Sequence, residues 1–104
     1  MKDEVRVERW AGDQPPEEAA LRALCAREGL QPYRWSNAPG DVYTAHAHEY
    51  DKVIYVVRGA ITFGLPTSGA RINLQPGDRL ELPAGVYHDA RVGAQGVVCL
   101  EAHR

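Results

Sequence analysis

Three of the four histidines in this 104-residue chain have a spacing that suits metal binding. His46 and His48 are separated by one residue, so on a β-strand both imidazoles project from the same face. His88 is predicted to lie on a strand entered through the turn Pro83-Ala84-Gly85, from which it can reach the same pocket. Three histidines with open coordination positions suit a divalent metal. We therefore predict one functional site at these residues; the alternative is that unrelated surface or core histidines meet by accident.

The segments that must position these histidines have the pattern of short β-strands. After Pro32, runs of β-branched and aromatic residues are separated about every 8 to 12 residues by Gly/Pro turns, which favours an all-β sandwich or barrel. Gly59 is expected to end one of these strands. The predicted strands are Val42 to His48, Val53 to Val57, Ala60 to Phe63, Arg71 to Leu74, Leu80 to Leu82 and Val97 to Leu100.

The N-terminal third has a different pattern. Glu4 to Trp10 alternates polar with apolar residues and predicts a half-buried edge strand. A helix is predicted to begin near Asp13 to Glu18, where prolines and acids cluster, and to end near Gly29. Leu21, Leu24 and Cys25 share one stripe of this helix, so we expect it to pack on the outside of the sheet.

Composition narrows the class of protein. The chain has 44% hydrophobic and 25% charged residues, which is typical of a single globular domain. A net charge of −2 gives no basic surface for nucleic acid or anionic membrane. No apolar run approaches the roughly 20 residues of a membrane span, and no leader pattern is present, so we expect a cytoplasmic protein with Cys25 and Cys99 reduced. Its small size favours a homodimer.

The residues around the histidines resemble the two motifs of the cupin superfamily. The first motif (glycine, HxH, glutamate, closing glycine) resembles the segment with Gly40, His46, His48 and Gly59, in which Lys52 stands at the glutamate position. The second is matched by Gly77, the turn Pro83-Ala84-Gly85 and His88. The resemblance implies an antiparallel double-sheet jelly-roll barrel with its site near the mouth. Residues 1–36 would supply an N-terminal strand and helix, and residues 37–104 the conserved barrel.

Members of this superfamily often form dimers and often hold a divalent metal on two histidines, a glutamate and a third histidine. The resemblance therefore implies a small cupin that binds zinc, iron, manganese or nickel, a small acidic ligand, or both, through His46, His48 and His88. One alternative is a metal-dependent enzyme of the dioxygenase or isomerase type, with Lys52 as a base or substrate anchor. A second alternative is a dimerisation module whose site is vestigial.

Lys52 is the main departure from the family pattern, because it occupies the glutamate position. A protonated lysine has only donors and cannot replace a carboxylate ligand. A unit charge about 5 Å from a divalent ion is repelled by roughly 6–7 kcal/mol at an effective dielectric constant near 20. Three arrangements avoid this repulsion: Lys52 turns toward Glu49 or Asp51, it loses its proton, or the site holds no metal.

The choice of lysine is itself informative, since the chain contains ten arginines and only two lysines, Lys2 and Lys52. This bias suggests that the position needs an ammonium or a neutral amine. The alternative is a decayed motif in which Lys52 extends into solvent. Glu49 or Asp51 is a possible substitute carboxylate ligand.

Other side chains carry weaker signals. Val92 takes the asparagine position that ends the second motif, and this position is not a usual ligand. The candidates for lining a pocket, which equally suit packing, are Trp35, Tyr43, Tyr50, Tyr55 and Tyr87. Arg58 and Arg71 are weak candidates for binding an acidic ligand, and Glu81 and Glu101 for completing a metal site.

Overall fold

Residues 4–104, described by a computed structural model, fold into seven antiparallel β-strands and one α-helix. The all-β prediction is confirmed. The elements are β1 (Arg6–Glu8), α1 (Glu18–Arg27), β2 (Tyr33–Asn37), β3 (Val42–His46), β4 (Lys52–Leu65), β5 (Ala70–Leu74), β6 (Arg79–Leu82) and β7 (His88–His103). Among these residues no helix has the length and apolar character needed to cross a membrane.

Two long strands, β4 and β7, run through both layers of the barrel. Their paired segments 52–59 and 97–103 lie at the centre of a sheet with the order β1-β6-β4-β7-β2. Their other segments, 61–64 and 89–92, are flanked by β5 on one side and β3 on the other. The two strands therefore join the two layers into one barrel. Within this barrel lie residues 52–54 of β4 and residues 88–90 and 101–103 of β7.

The prediction that Gly59 ends a strand is wrong, and the strand predicted at Val97 to Leu100 is part of a longer one. Gly59 and Gly96 both have positive φ, +80° and +78°, and register shifts flank Gly59. A side chain at Gly59 would collide with the Gly96 carbonyl. Two glycines facing each other thus let both strands bend sharply while their hydrogen-bonded pairing continues.

The core has two parts. The larger part lies between the layers and includes Ile54, Val56, Ile61, Phe63, Leu74, Leu80, Ala90, Val92, Val97 and Cys99. The smaller part lies under α1, where Leu21 and Cys25 pack on residues of β4 and β7. The prediction of a helix packed outside the sheet is therefore confirmed, as is the N-terminal edge strand, which pairs with β6. Cys25 and Cys99 are buried, free thiols in different parts of the core.

Asp78 fastens the N-terminal segment to the turn that precedes β6. Its buried carboxylate accepts hydrogen bonds from the backbone N–H of Gln75 at 2.8 Å and of Trp10 at 3.0 Å, and from Arg9 at 2.9 Å. Burial alone would raise the pKa of Asp78, but these donors outweigh it and hold the pKa below its usual value. The ionised carboxylate therefore stabilises the fold.

Asp78→Asn is expected to lower the free energy of unfolding by about 1–3 kcal/mol at neutral pH, because an amide cannot serve all three donors as a carboxylate does. Since the native pKa is depressed, the wild-type advantage is complete above the unfolded pKa and is lost as the pH falls below about 4. Urea unfolding across this pH range measures the difference. The exposed Asp13→Asn is the control, and equal effects of the two variants would contradict the assignment.

Candidate metal site

A cavity of about 360 Å³ opens between the two layers of the barrel. It brings together the three predicted histidines, Lys52, and a buried carboxylate from β7. The lining side chains, which come from both layers, are Tyr33, Trp35, Tyr43, His46, His48, Tyr50, Lys52, Ile54, Ile61, Phe63, His88, Ala90 and Glu101.

His46 and His88 are positioned by the ladder between β3 and β7. They are directly opposite each other in the register, and their ring centroids are 4.5 Å apart. His46 Nδ1 lies 2.6 Å from the Thr44 carbonyl, and His88 Nδ1 lies 2.9 Å from the Val86 carbonyl. Because a carbonyl only accepts, each Nδ1 carries a proton, which leaves Nε2 of the neutral imidazole as the nitrogen with a free lone pair.

His48 reaches the same cluster by a different route. The prediction that residues 42–48 form one extended strand is wrong, since β3 ends at His46 after a register shift. The loop that follows is tied to the Pro83-Ala84-Gly85 turn by hydrogen bonds from Gly85 N to His48 O, 2.8 Å, and from Ala84 N to Asp51 Oδ1, 2.8 Å. The turn of the second motif thus holds the loop of the first.

The ring of His48 is 4.6 Å from that of His46 and 5.3 Å from that of His88, measured between centroids. Its Nδ1 lies 3.2 Å from the Tyr50 hydroxyl, whereas its Nε2 is buried without a hydrogen-bond partner. A buried, unsatisfied polar atom costs about 1–3 kcal/mol. A cation bound at Nε2 would remove this cost.

The three imidazoles offer nitrogens that all lie within 4.8 Å of one another, and within residues 4–104 they are the one cluster with this property. Burial lowers the pKa of His48, and the nearby charges of Lys52 and the other histidines lower it further. Burial also lowers the pKa of His88, against the opposing effect of its bond to Val86. Neutral imidazoles are the form that binds metal, so these residues fit a divalent ion.

Lys52 does not turn toward Glu49 or Asp51, and it does not extend into solvent. Its Nζ lies 3.2 Å from Glu101 Oε2, and its side chain is only 14% exposed. Lys52 pairs with His103 across β4 and β7, and Ile54 pairs with Glu101, so alternation puts positions 52 and 101 on the same face. Asp51 is engaged with Ala84 instead.

Glu101 is a buried carboxylate of the cavity whose place beside Lys52 the sequence does not reveal. Its carboxylate is 3% exposed and accepts from the Trp35 indole at 3.0 Å, the Tyr33 hydroxyl at 2.8 Å and His103 Nε2 at 2.7 Å, besides Lys52. Burial would raise its pKa, but these donors and the Lys52 charge hold it below the usual value. An ionised Glu101 therefore neutralises Lys52, and its oxygens are already occupied by donors.

The structure places some of the weaker sequence candidates in the cavity and the others outside it. Trp35, Tyr43 and Tyr50 line the cavity, together with Tyr33 and Phe63, which the sequence did not single out. The remaining candidates lie outside the cavity. Tyr55 is buried near α1, and Val92 is in the core between the layers. Glu81 pairs with Arg79, and the exposed residues are Tyr87, Arg58 and Arg71.

Comparison with known proteins gives a family match and a partial match to a relative. The family model for the cupin domain matches residues 33–100, about two thirds of the chain. A 50-residue segment is 40% identical to Acireductone dioxygenase 1 of Coprinopsis cinerea, and the match covers 44% of this chain. It covers 28% of the dioxygenase, so this chain spans well under half of that relative.

Solved structures share the fold. A DUF861 family protein from Thermotoga maritima superposes with a TM-score of 0.69 over 97% of this chain and 100% of its own, at 16% identity. The polyketide cyclase RemF from Streptomyces resistomycificus superposes with a TM-score of 0.62 over 71% of this chain and 54% of its own, at 25% identity. With the family model matched across both histidine motifs and the barrel seen in full, the chain belongs to the cupin superfamily.

Proposed function

We propose that this cupin binds a divalent metal ion through His46, His48 and His88 and presents it to a small acidic ligand in the cavity. The observation that carries this proposal is the convergence of three imidazoles, one of which has a buried Nε2 without a partner. Zinc, iron, manganese and nickel all suit imidazole ligands. Three protein ligands leave coordination positions open for a ligand.

The chain's own residues prepare the site. The Thr44 and Val86 carbonyls fix the orientation of His46 and His88. Isoleucine, tryptophan and phenylalanine side chains on the cavity wall make part of the lining apolar. A bound metal would act as a Lewis acid toward an oxygen of the ligand.

Metal content is the direct test. Protein purified without an affinity tag and dialysed against zinc should hold about one ion per chain, and His46→Ala should lose at least about nine tenths of it, because two imidazoles rarely make a stable site. Elemental analysis by mass spectrometry measures this. Gln95, which is exposed and lies outside the cavity, provides the control Gln95→Ala. An empty wild-type site, or a His46→Ala variant that keeps its zinc, would overturn the proposal.

Tyr50 should tune the affinity of this site. Its ring lies between those of His48 and His103, with centroid distances of 5.1 Å and 4.0 Å, and its hydroxyl is the partner of His48 Nδ1. Tyr50→Phe removes the hydroxyl but keeps the ring, so zinc affinity should fall about 10-fold without a change in thermal stability. Competition with a chromogenic chelator measures the affinity. An unchanged affinity would mean that the hydroxyl does not orient His48.

A second candidate is a metal-dependent enzyme of the dioxygenase type, with Lys52 as a base or substrate anchor. The similarity to an acireductone dioxygenase favours it, as does the place of Lys52 on the wall of the histidine cavity. The test is oxygen uptake by iron- or nickel-loaded protein supplied with an acireductone, with His46→Ala as the control. Uptake that requires His46 would establish an enzyme, whereas no uptake would leave the binding function.

We further propose that the protein is a homodimer, because a domain of this size buries a limited share of its surface. Light scattering coupled to gel filtration measures the mass. A dimer whose histidine site takes up neither metal nor ligand would favour the third alternative, a dimerisation module with a vestigial site.

A further inference from the structure

We infer that Lys52 is the specificity-determining residue of the cavity, and that it selects a ligand carrying a carboxylate or enolate on a flat, largely apolar framework. The inference rests on the proposed metal site, because the metal would be the ligand's second point of attachment. Four observations carry it: the donors of Lys52, the occupied oxygens of Glu101, the charge of the cavity, and the nature of its wall.

The ammonium of Lys52 is held at the cavity with donors to spare. It carries three N–H groups, and Glu101 is the one acceptor paired with it among residues 4–104. Its side chain is 14% exposed and lines the same cavity as the three histidines. A ligand anion that enters the cavity therefore meets a positioned cation that has already lost most of its contact with water.

Glu101 keeps the lysine in this position and is not available to compete with the ligand's metal contacts. Its two oxygens already accept from Trp35, Tyr33, His103 and Lys52. All of these hydrogen bonds and the ion pair with Lys52 would have to be broken before Glu101 could turn toward the histidines. Glu101 therefore acts as a positioning residue, and Lys52 is the group that touches the ligand.

The charges of the cavity favour an anion. The Lys52 ammonium and the Glu101 carboxylate cancel, and the three histidines are neutral when they bind metal. A divalent ion would then leave two positive charges in a partly buried space, where attraction to an anion is stronger than in water. Lys52 would give that anion a preferred orientation, because it lines the cavity from β4, whereas the histidines lie on β3, on β7 and in the loop after β3.

The wall of the cavity indicates an organic anion instead of phosphate. Trp35, Tyr43, Tyr50 and Phe63 offer ring surfaces, and no arginine belongs to the lining, which lies wholly within the described part of the chain. Phosphate is usually bound by arginines or by several backbone N–H groups. One ammonium beside aromatic rings is better matched to a single carboxylate or enolate attached to a flat group.

Benzoate and its neutral counterpart benzamide test the inference, with oxalate as a second anion that lacks a ring. Zinc-loaded wild-type protein should bind benzoate at least about 10-fold more tightly than benzamide in calorimetric titration, since a charge-assisted hydrogen bond is worth about 1.5–3 kcal/mol. Lys52→Met should weaken benzoate and oxalate binding about 10- to 100-fold and change benzamide binding less than about 3-fold. Lys52→Gln serves as a second variant if methionine disturbs the cavity.

The control is Arg58→Met, which makes the same change in net charge at an exposed position. An equal loss of benzoate binding in Arg58→Met would overturn the inference, and so would the failure of both anions to bind wild-type protein. Tighter binding of inorganic phosphate than of benzoate would also overturn it. Titration of metal-free protein separates the two proposals: anion binding that needs Lys52 but no zinc would keep this inference while the metal site fails.

Discussion

Glu101→Gln is expected to weaken zinc binding by about 100-fold or more, although Glu101 is not placed among the metal ligands. The amide oxygen can still accept from the Trp35 indole, and the amide NH2 can donate to the Tyr33 hydroxyl, but the side chain no longer cancels the Lys52 charge. An uncompensated unit charge about 5 Å from a divalent ion costs roughly 6–7 kcal/mol at an effective dielectric constant near 20. Movement of Lys52 and entry of water would relieve part of this, so a loss of about 3 kcal/mol, or 100-fold, is the conservative expectation.

A double-mutant cycle makes this prediction specific. Lys52→Met combined with Glu101→Gln removes both charges, so the double variant should recover most of the lost zinc affinity. Glu81→Gln is the matched control, because Glu81 is also ion-paired on a strand but belongs to the Arg79 cluster outside the cavity. Chelator competition measures all four proteins. If the double variant binds zinc no better than Glu101→Gln, electrostatic compensation is not the role of Glu101.

The all-β class and the HxH pair could be predicted from local patterns, whereas the jelly-roll barrel and the place of His88 beside the pair were implied by the resemblance to the cupin motifs. Alternating apolar residues, the Gly/Pro turns and the HxH pair are all short-range features. Even so, His46 and His48 do not meet as successive residues of one face of a strand. His48 lies beyond the end of β3 and is held by its contact with Gly85, which sequence spacing alone does not reveal.

The partner of Lys52 could not be predicted, because it depends on the register between two distant strands. Glu101 lies 49 positions after Lys52, and a shift of one residue in the pairing would turn it to the other face. The nearby acids Glu49 and Asp51 were the natural candidates from sequence distance alone. The bends at Gly59 and Gly96, near which the register of the same two strands shifts, depend on a close backbone approach that neither glycine indicates by itself.

Arg79→Met is expected to lower the free energy of unfolding by about 2–4 kcal/mol, the largest effect on stability that we predict for a single side chain. Arg79 is buried and donates to both oxygens of Glu28 at 2.7 and 3.0 Å, to Glu81 at 2.9 Å and to the Tyr55 hydroxyl at 2.8 Å. Methionine conserves much of the volume, so the loss reports the charge and hydrogen bonds. Arg104, 3.9 Å from both carboxylates, limits the penalty.

Arg79 stabilises the attachment of α1 to the sheet, because Glu28 immediately follows the helix and Arg79 begins β6. Loss of the pair should therefore expose the residues under α1 before the barrel itself unfolds, so the helical circular dichroism signal should be lost before the native tryptophan fluorescence. Arg34→Met is the control: its pair with Glu18 is solvent-exposed at 3.1 Å and should contribute at most about 1 kcal/mol. Equal urea midpoints for the two variants would show that burial does not make the Arg79 ion pairs more stabilising than an exposed pair.

The free energy of unfolding of an Arg79→Lys variant should lie between those of wild type and Arg79→Met, because one ammonium cannot reproduce the paired contacts of a guanidinium with Glu28.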